Sequence, residues 1–398
     1  MLASMPFGSQ SANPAWTREV LRQEFHGFKN PLKAMRLPKD RPGVVFLDNQ
    51  RLIVYETDWT GGLSSRVNPD IRSAYQLYAS VIDADSGELL FDKHWGARVN
   101  GSSIHVAVGG VLVQTENELR ILSNDFAEIR KLTFPDAPDP KDPNHCDRRF
   151  VSVSPTGRTV MSNCVNTSNF TTSVNGNMTT LTPHYFSHLE VWDGQTFEHE
   201  YAWTESTLYD RTYSISDDMI AKGGSLEQFG SRTWHPLVVA THQQELKQPS
   251  FVLSARTFVT NTSLICSCYG ELSLVSTTGH ILGTQPTPGN IIIGNQHNSY
   301  SQISFANKSV DVAQGGQFVA VAFERWEVRS HLFTEASNRH ISTQILVCDS
   351  QLKQCPLRVD VTPVPSWLDD YDFALSPDGS KLAVLNGRNI SLYFVPHN

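Results

Sequence analysis

The sequence has little basic charge and no long apolar run. Lys and Arg total 32 against 40 Asp and Glu, the formal net charge is -8, and Lys or Arg never run longer than a pair. Nucleic-acid-binding proteins present a clustered basic face, so we expect no nucleic-acid partner. No stretch approaches the ~20 apolar residues that a membrane-spanning helix needs. We therefore expect no transmembrane segment.

The sequence also lacks the common signatures of catalysis and cofactor binding. There is no G-x-S-x-G elbow, Walker loop, dinucleotide fingerprint or C-x-x-C-H haem site. His184 and His188 are spaced i, i+4, but no Glu follows His184 as in a zinc-protease helix. The acidic segment 136–147 is rich in proline and does not have EF-hand spacing. We expect no metal, no cofactor and no catalytic residue.

Short apolar runs separated by turn residues dominate the chain. In Phe373 to Val395, apolar runs flank Ser376-Pro377-Asp378-Gly379, and another follows Asn386-Gly387. Pro presets φ, Asp caps the turn and Gly accepts positive φ, so this stretch predicts a three-stranded β-meander. A similar phrase occurs from Phe150 to Ser162. With 18% charged residues in 398, the chain suits strands and turns rather than long helices.

Seven hairpins of this kind recur at intervals of about 45 to 65 residues, the period of propeller blades. Their turns lie at residues 48–49, 109–110, 155–156, 217–218, 261–262, 315–316 and 378–379. Most are followed by a second hairpin, and two hairpins make one four-stranded blade. In blade four we expect the outer pair within Thr233 to Leu253. The sequence thus predicts an all-β, seven-bladed β-propeller of four-stranded antiparallel blades.

The last blade has only three strands before Asn398, whereas Trp16 to Phe25 has no hairpin partner. We expect this N-terminal segment to close blade seven and to remove an exposed edge. An amphipathic N-terminal helix is the alternative. Residues 1–15 are interpreted as a disordered leader or the remnant of a signal peptide, and residues 16–398 as one propeller domain. We expect a monomer.

Two of the turns carry a resemblance to a known family. Ser376-Pro377-Asp378-Gly379-Ser380-Lys381 and Ser154-Pro155-Thr156-Gly157-Arg158 resemble the S-P-D-G-(K/R) hairpin of bacterial WD40-like β-propellers of the TolB and YVTN type. The resemblance implies the architecture of nearly the whole chain. It implies little about activity, because such propellers serve as scaffolds and as enzymes.

Long connections are predicted to gather on one rim of the propeller. If strands a to d run from the axis outward, the b–c and d–a connections share one rim, and the a–b and c–d turns share the other. Blades one, three and six carry long b–c insertions, at Asp58–Ala74, Asn166–Tyr185 and Trp326–Ile341. Long d–a connections lie at 26–43, 135–148, 286–301 and 363–370. Long loops are commonly functional, so we expect the working face there.

The candidate binding residues lie in these connections, except Tyr371, which directly follows the connection 363–370. Exposed Trp and Arg dominate binding hot spots, and carboxylates before the last inner strand would lie near the axial funnel. The candidates are Trp59, Arg66, Arg72, Trp326, Arg329, His331, Arg339, Trp367, Asp369, Asp370 and Tyr371.

Six cysteines bear on the compartment. Cys348 and Cys355 bracket a hairpin turn, and Cys146 and Cys164 flank the hairpin at Pro155, so both pairs predict disulfides and an oxidising compartment. Cys266 and Cys268 are interpreted as free core thiols. We expect an exported protein, periplasmic or extracellular, with the cytoplasm as the alternative. Sequons occur at Asn100, Asn166, Asn169, Asn177, Asn261, Asn307 and Asn389 and matter only where the host glycosylates.

These features favour a non-catalytic propeller whose long-loop rim holds a protein or glycan partner. The alternative is an enzyme at the axial funnel, such as a lactonase, a lyase or a quinoprotein-like oxidoreductase. That alternative requires His, Arg and carboxylates to converge from several blades.

Overall fold

The computed structural model describes most of the chain. The described residues are 11–20, 42–59, 75–97, 102–115, 118–134, 146, 148–175, 178–207, 213–222, 225–229, 231, 235–236, 255–268, 271–286, 299–331, 334–362, 371–387 and 389–396. Within these ranges, no helix has the length and apolar character needed to cross a membrane. The described secondary structure consists of strands.

The strands form seven four-stranded antiparallel sheets arranged as the blades of a propeller. β1 (Trp16–Glu19) belongs to the last blade. Blade one is β2 (Gly43–Phe46), β3 (Arg51–Trp59), β4 (Tyr75–Asp83) and β5 (Leu89–Ala97). Blade two is β6 (Ser103–Ala107), β7 (Gly110–Thr115), β8 (Glu118–Leu122) and β9 (Glu128–Thr133). Blade three is β10 (Arg148–Val153), β11 (Thr159–Asn175), β12 (Met178–Asp193) and β13 (His199–Thr207).

The remaining blades repeat this order. Blade four is β14 (Tyr213–Ile215), β15 (Met219–Lys222), β16 (Ser225–Gln228) and β17 (His235–Pro236). Blade five is β18 (Ala255–Thr260), β19 (Ser263–Cys268), β20 (Glu271–Ser276) and β21 (Ile281–Pro286). Blade six is β22 (Ser299–Val312), β23 (Phe318–His331), β24 (Thr334–Asp349) and β25 (Leu357–Val361). Blade seven is β26 (Tyr371–Leu375), β27 (Lys381–Asn386) and β28 (Asn389–Phe394), with β1 outermost.

The seven-bladed architecture predicted from the hairpin repeat is therefore confirmed. The predicted position of one strand in blade four was wrong. Its third strand is Ser225–Gln228, not a strand within Thr233 to Leu253. Among the described side chains of this strand, only Leu226 is buried in the core, so its apolar pattern was too weak to predict a strand. The dipeptide Gly223-Gly224, which precedes the strand, was the available turn signal.

The first and last described strands meet in blade seven, because β1 pairs antiparallel with β28 from Trp16↔Leu392 to Glu19↔Asn389. The predicted closure by an N-terminal strand is confirmed, and the alternative of a helix at Trp16 is excluded. Residues beyond Val20 in the predicted segment lie outside the described residues. Closure gives β28 a partner on the side that would otherwise be an exposed edge.

The core lies between the blades. A buried apolar cluster occupies each blade-to-blade junction, such as Leu382 and Val384 of blade seven against Ile345 and Val347 of blade six. The second strand of a blade is covered on both faces, and β7 is buried at every position. The outermost strand has one sheet partner and faces solvent, so most of β9 is exposed. Burial therefore falls from the second strand to the rim of the disc.

Three c–d turns place an apolar residue in the left-handed backbone region. Phe126, Phe197 and Leu352 have φ of 62°, 57° and 55°, and all three side chains are buried. Left-handed backbone costs a residue with a Cβ roughly 1–2 kcal/mol. The side chains offset this cost by filling the junction with the preceding blade. Phe126, for example, packs edge-on against Phe91 of blade one, with ring centroids 5.3 Å apart.

The innermost strands are sheet edges whose N–H groups find partners on the preceding blade. Val44 N donates to Asp372 Oδ2 at 2.8 Å, and Leu375 N donates to Asp311 Oδ2 at 2.7 Å. Phe258 N donates to Ser214 Oγ at 2.9 Å. Buried backbone donors need partners, so these side chains tie neighbouring blades together around the axis.

The structure pairs Cys146 with Cys164 and Cys348 with Cys355, the two disulfides that the sequence predicts. The first attaches the end of the connection from blade two to the second strand of blade three. The second closes the c–d turn of blade six. The side chains of Cys266 and Cys268 on β19 lie outside the described part of the chain, so their interpretation as free thiols stays a prediction.

Candidate binding site at the hairpin rim

Two of the three predicted insertions are β-hairpin extensions of their blades. In blade three, β11 and β12 pair from Thr159↔Asp193 to Asn175↔Met178, with an irregularity between Asn166 and Asn169. The b–c insertion was predicted as a loop, and it is instead a continuation of the sheet. The missed signal is its alternation of Thr, Ser and Val around Asn175-Gly176, which is typical of a hairpin.

Blade six carries a comparable extension. β23 and β24 pair from Phe318↔Asp349 to His331↔Thr334. The inner strand takes part as well, because Ser299 pairs with Arg329. The extension of blade six is therefore three-stranded where it leaves the disc.

These extensions are long compared with the blades. β11 has 17 residues and β23 has 14, whereas the corresponding strands β7, β19 and β27 have 6 each. A strand rises about 3.3 Å per residue, so the extra length is on the order of 25–35 Å. The two extensions belong to blades on opposite sides of the ring and rise from the same rim. We call this rim, with its b–c and d–a connections, the hairpin rim, and the opposite side the turn rim.

The backbone places several predicted binding residues on the hairpin rim. Trp326, Arg329 and His331 lie on β23, and Arg339 lies on β24 opposite Glu327. Trp59 ends β3 and pairs with Tyr75, at the same rim of blade one. Of these residues, only the backbone is described.

The other candidates divide into two groups. Arg66, Arg72, Trp367, Asp369 and Asp370 lie outside the described residues. Tyr371 is half-buried at the start of β26, and its hydroxyl donates to Glu324 Oε1 at 2.8 Å. Glu324 is on β23, so this bond joins the inner strand of blade seven to the base of the blade-six extension.

A polar cluster that the sequence did not predict lies at the base of the blade-three extension. Arg149 is buried, its Nη1 donates to Ser162 Oγ at 2.9 Å, and its guanidinium lies 3.7 Å from the centroid of the Phe134 ring. Arg149 and His188 are the register partners of Cys164 on its two neighbouring strands. The cluster therefore surrounds the disulfide that attaches the blade-two connection.

Glu190 provides the negative charge of this cluster. Its carboxyl lies 3.6 Å from His188 Nε2. Burial opposes ionisation, but the hydrogen bond and charge of His188, with the charges of Arg149 and His199, outweigh it and lower the pKa of Glu190. The Glu190 carboxylate lies on the same strand as His188, two residues further along at the base of the extension.

No protein-family model matches the sequence, and no curated protein matches it either. Among solved structures, the chain is similar to a chain in the crystal structure of a mitotic checkpoint complex, with 11% identity, 100% of both chains covered and a TM-score of 0.46. It is also similar to the crystal structure of BamB from Moraxella catarrhalis, with 12% identity, 88% of this chain and 84% of that chain covered, and a TM-score of 0.38. The seven four-stranded sheets define the fold independently of these similarities.

The axial channel contains a cavity of about 400 Å³ lined by the inner strands of all seven blades. Among the described residues, its lining includes one imidazole, His105, and one carboxylate, Asp311. His105 Nε2 lies 2.9 Å from Ser103 Oγ, and Asp311 holds the Leu375 N–H. Both groups are thus engaged with the blades. In the described part of the chain, no group of three or more His, Cys, Asp or Glu is placed to hold a metal ion.

The cavity is narrowed at the turn rim by a contact across the axis. Gln314 Nε2 of blade six donates to Thr156 O of blade three at 3.3 Å. Gly157 fits beside it, because an added Cβ would lie 3.2 Å from Val108 N and 3.3 Å from Gln314 Nε2. The end of the channel at the turn rim is therefore occupied by the turns themselves.

Proposed function

We propose that this protein is a non-catalytic binding propeller whose hairpin rim holds a protein or glycan partner. The observation that carries the proposal is the pair of extensions on blades three and six. Both rise from one rim, and the propeller ring fixes their separation. A rigid frame with two projecting arms suits recognition of a macromolecule better than the chemistry of a small substrate.

A protein partner is favoured over a glycan. The extensions consist of strands with backbone N–H and C=O groups at their edges, and an extended segment of another protein can pair with such edges.

The described axial lining supplies a single imidazole and a single carboxylate, both hydrogen-bonded to the blades, whereas funnel enzymes need several such groups to converge. An enzyme at the funnel is the contrasting outcome of the test below.

The two disulfides support an exported protein. Disulfides persist in oxidising compartments and are rare in the cytosol. Reducing agent would open the Cys146–Cys164 link at the base of the blade-three extension, so an oxidising compartment also suits the proposed binding face. Fractionation of the native host, with the free thiols labelled before lysis, tests this part of the proposal.

The binding face can be removed without cutting into the disc. Asn166↔Phe186 and Arg325↔Ser342 are register partners at the base of the two extensions. A two-residue Asn-Gly turn joins directly opposed strands. One variant therefore replaces residues 167–185 by Asn-Gly, a second replaces residues 326–341 by Asn-Gly, and a third combines both changes.

The matched control alters the opposite face. Arg158 and Gln195 are exposed on the turn rim, and Arg158→Ala with Gln195→Ala changes that surface while leaving the extensions intact. Partners are captured from the native host's extract and envelope fraction, identified by mass spectrometry, purified and titrated against each variant. We expect the double trim to weaken binding at least 100-fold and the control to bind as wild type does.

Three results would contradict the proposal. A purified partner that binds the double trim and the wild type equally does not use the hairpin rim. Loss of binding in the turn-rim control would place the binding face on the turn rim. Turnover of a lactone or polyol substrate that is unaffected by trimming would favour the enzyme at the funnel.

A further inference from the structure

Seven sequons occur in the sequence, and the structure separates those whose asparagine side chains it describes. These asparagines are Asn166, Asn261 and Asn389. An N-glycan acceptor needs an amide nitrogen that can carry a bulky sugar in the folded protein. Each amide can therefore be judged by its surroundings.

Asn166 and Asn261 are poor acceptors. Asn166 is 3% exposed at the base of the blade-three extension, so a sugar on its Nδ2 would have to displace the core. Asn261 lies in the a–b turn of blade five, and its Nδ2 donates to Asp217 Oδ2 at 2.7 Å. Asp217 N donates back to Asn261 Oδ1 at 3.1 Å. The amide of Asn261 is thus held face to face with the turn of blade four.

Asn389 differs in each respect. It is the exposed first residue of β28, directly after the turn at Asn386-Gly387, and Ser391 completes its sequon. Its backbone is fixed, because it pairs with Asn386 on one side and with Glu19 of β1 on the other. Asn386 Nδ2 donates to Thr362 O of blade six at 3.0 Å, which anchors the turn. The side chain therefore leaves an ordered backbone and points to solvent.

We propose that Asn389 is an N-glycosylation site. The reaction joins C1 of an oligosaccharide to Asn389 Nδ2. The C1–O bond to a polyprenyl diphosphate donor breaks, the diphosphate leaves with the bonding electrons, and the amide nitrogen loses one proton. The inference uses the export part of the proposed function and none of its argument about the hairpins.

The position of Asn389 gives the glycan a defined place on the molecule. The turn between β27 and β28 is the b–c connection of blade seven, so it belongs to the hairpin rim. Blade seven adjoins blade six, whose extension rises from the same rim. A glycan at Asn389 would border the proposed binding face and limit how far a partner reaches over blade seven.

To test this, the protein is fused to an N-terminal signal peptide and a C-terminal epitope tail and is secreted from a eukaryotic host. The tail lengthens the chain after residue 389. The purified protein is checked for its two disulfides and treated with peptide N-glycosidase F, which converts a glycosylated Asn to Asp. We expect that conversion at residue 389 and none at residues 166 and 261. Asn389→Gln and Ser391→Ala should each remove one glycan, and Ser391→Thr, which keeps the sequon, should retain it.

The modification state of these asparagines can also contradict the inference. Secreted, disulfide-bonded protein with unmodified Asn389, or with a glycan at Asn166 or Asn261, overturns the inference. Neither result affects the hairpin trims, because those variants are tested with a protein partner. Failure of this inference can therefore be distinguished from failure of the proposed function.

Discussion

The indole of Trp16 covers Gly87, so a residue at the N-terminal end of the propeller completes a turn of blade one. A Cβ added to Gly87 would lie 3.0 Å from Trp16 Cδ2, and Trp16 Nε1 donates to Ala84 O at 3.0 Å. In blades two, three and six, the equivalent space is filled by the turn's own apolar residue. In blade one that space is filled by β1, which explains why blade one has glycine there.

The carbonyl of this turn residue also has a recurring partner. Arg130 Nη1 on the outer strand of blade two donates to Phe197 O of blade three at 2.9 Å, and Gln285 Nε2 of blade five donates to Leu352 O of blade six at 2.8 Å. Arg18 on β1 does the same for Gly87 O at 2.5 Å. The N-terminal strand therefore reproduces an internal junction where the ring closes.

Trp16→Ala should destabilise the propeller by about 2 kcal/mol, because it removes an apolar contact and one hydrogen bond from the closure. Urea unfolding followed by fluorescence measures the change. Thr17→Ala is the matched control on the same strand, because its hydroxyl contacts Ser391 Oγ at an exposed position. An equal effect from both variants would show that the Trp16 contact does not hold the closure.

Gly87→Ala should cost at least about 1–2 kcal/mol, since the residue has φ of 74° and the new methyl group would meet the indole. Gly96→Ala is the matched control, because a Cβ at Gly96 meets nothing within 4 Å. Unfolding free energies of the two variants are compared under the same conditions. If Gly87→Ala is as stable as wild type, the indole does not occupy that space.

At Phe197 we expect the glycine variant to be more stable than the alanine variant, the reverse of the usual order of stability. Phe197→Ala loses the buried ring and keeps a Cβ in the left-handed region, whereas Phe197→Gly loses the ring and relieves the backbone. Both should destabilise by about 3–5 kcal/mol, with the glycine variant about 1 kcal/mol more stable than the alanine variant. Chemical denaturation checks the order. An alanine variant more stable than glycine would mean that the turn does not hold a positive φ.

Acid should weaken the propeller through the c–d turns. In blade three, the Thr196 backbone N–H is the main cause that lowers the pKa of Asp193 below its ordinary 3.8. Burial opposes the shift, and the Gln195 N–H and Thr196 hydroxyl add to it. A folded pKa below the unfolded value contributes stability above the unfolded pKa, and that stability is lost as the pH falls through the folded pKa. The expected window therefore begins near pH 4 and extends downward.

The measurement is the free energy of unfolding against pH, and Asp193→Asn should flatten its acid limb. Asp125→Asn is the control, because the Asp125 side chain is 93% exposed in the corresponding turn of blade two. An Asp193→Asn curve parallel to the wild-type curve would show that this carboxylate does not couple folding to protons.

Removing the Cys146–Cys164 disulfide should destabilise the protein by about 3 kcal/mol, the value expected for a loop of this length. Serine replaces both cysteines, and unfolding is compared with and without reductant. The wild type should lose stability on reduction, and the variant should lose less because only the blade-six disulfide remains among the described pairs. Equal losses would show that the pair contributes nothing.

Local patterns account for the parts of the fold that the sequence predicts. The turn at Asp378-Gly379 and the N-terminal closing strand could be predicted, because the turn residues and the lack of a fourth strand in the last blade can be read from the sequence. The extension around Asn175-Gly176 also has a sequence signal, because residues with high β-propensity, mostly Thr, flank an Asn-Gly turn. It was missed because its length suggested a loop.

Other features depend on distant residues. Nothing in the sequence around Phe197 or Leu352 signals a positive φ, because the neighbouring blade provides the stabilising contact. The pairing of Trp16 with Gly87 joins residues 71 positions apart, and Gln314 meets Thr156 across the axis. The cluster around Arg149, His188 and Glu190 arises from strand register, which single motifs do not reveal.

The footprint of the captured partner, measured by hydrogen–deuterium exchange on the wild-type protein, tests most directly whether the hairpin rim is the binding face. We expect protection on the extensions, at residues 169–175 and 178–184 of blade three and at residues 326–331 and 334–341 of blade six. We expect unchanged exchange at the turns 154–158, 193–197 and 376–380. Protection confined to those turns, with none on the extensions, would contradict the claim that the hairpin rim is the binding face.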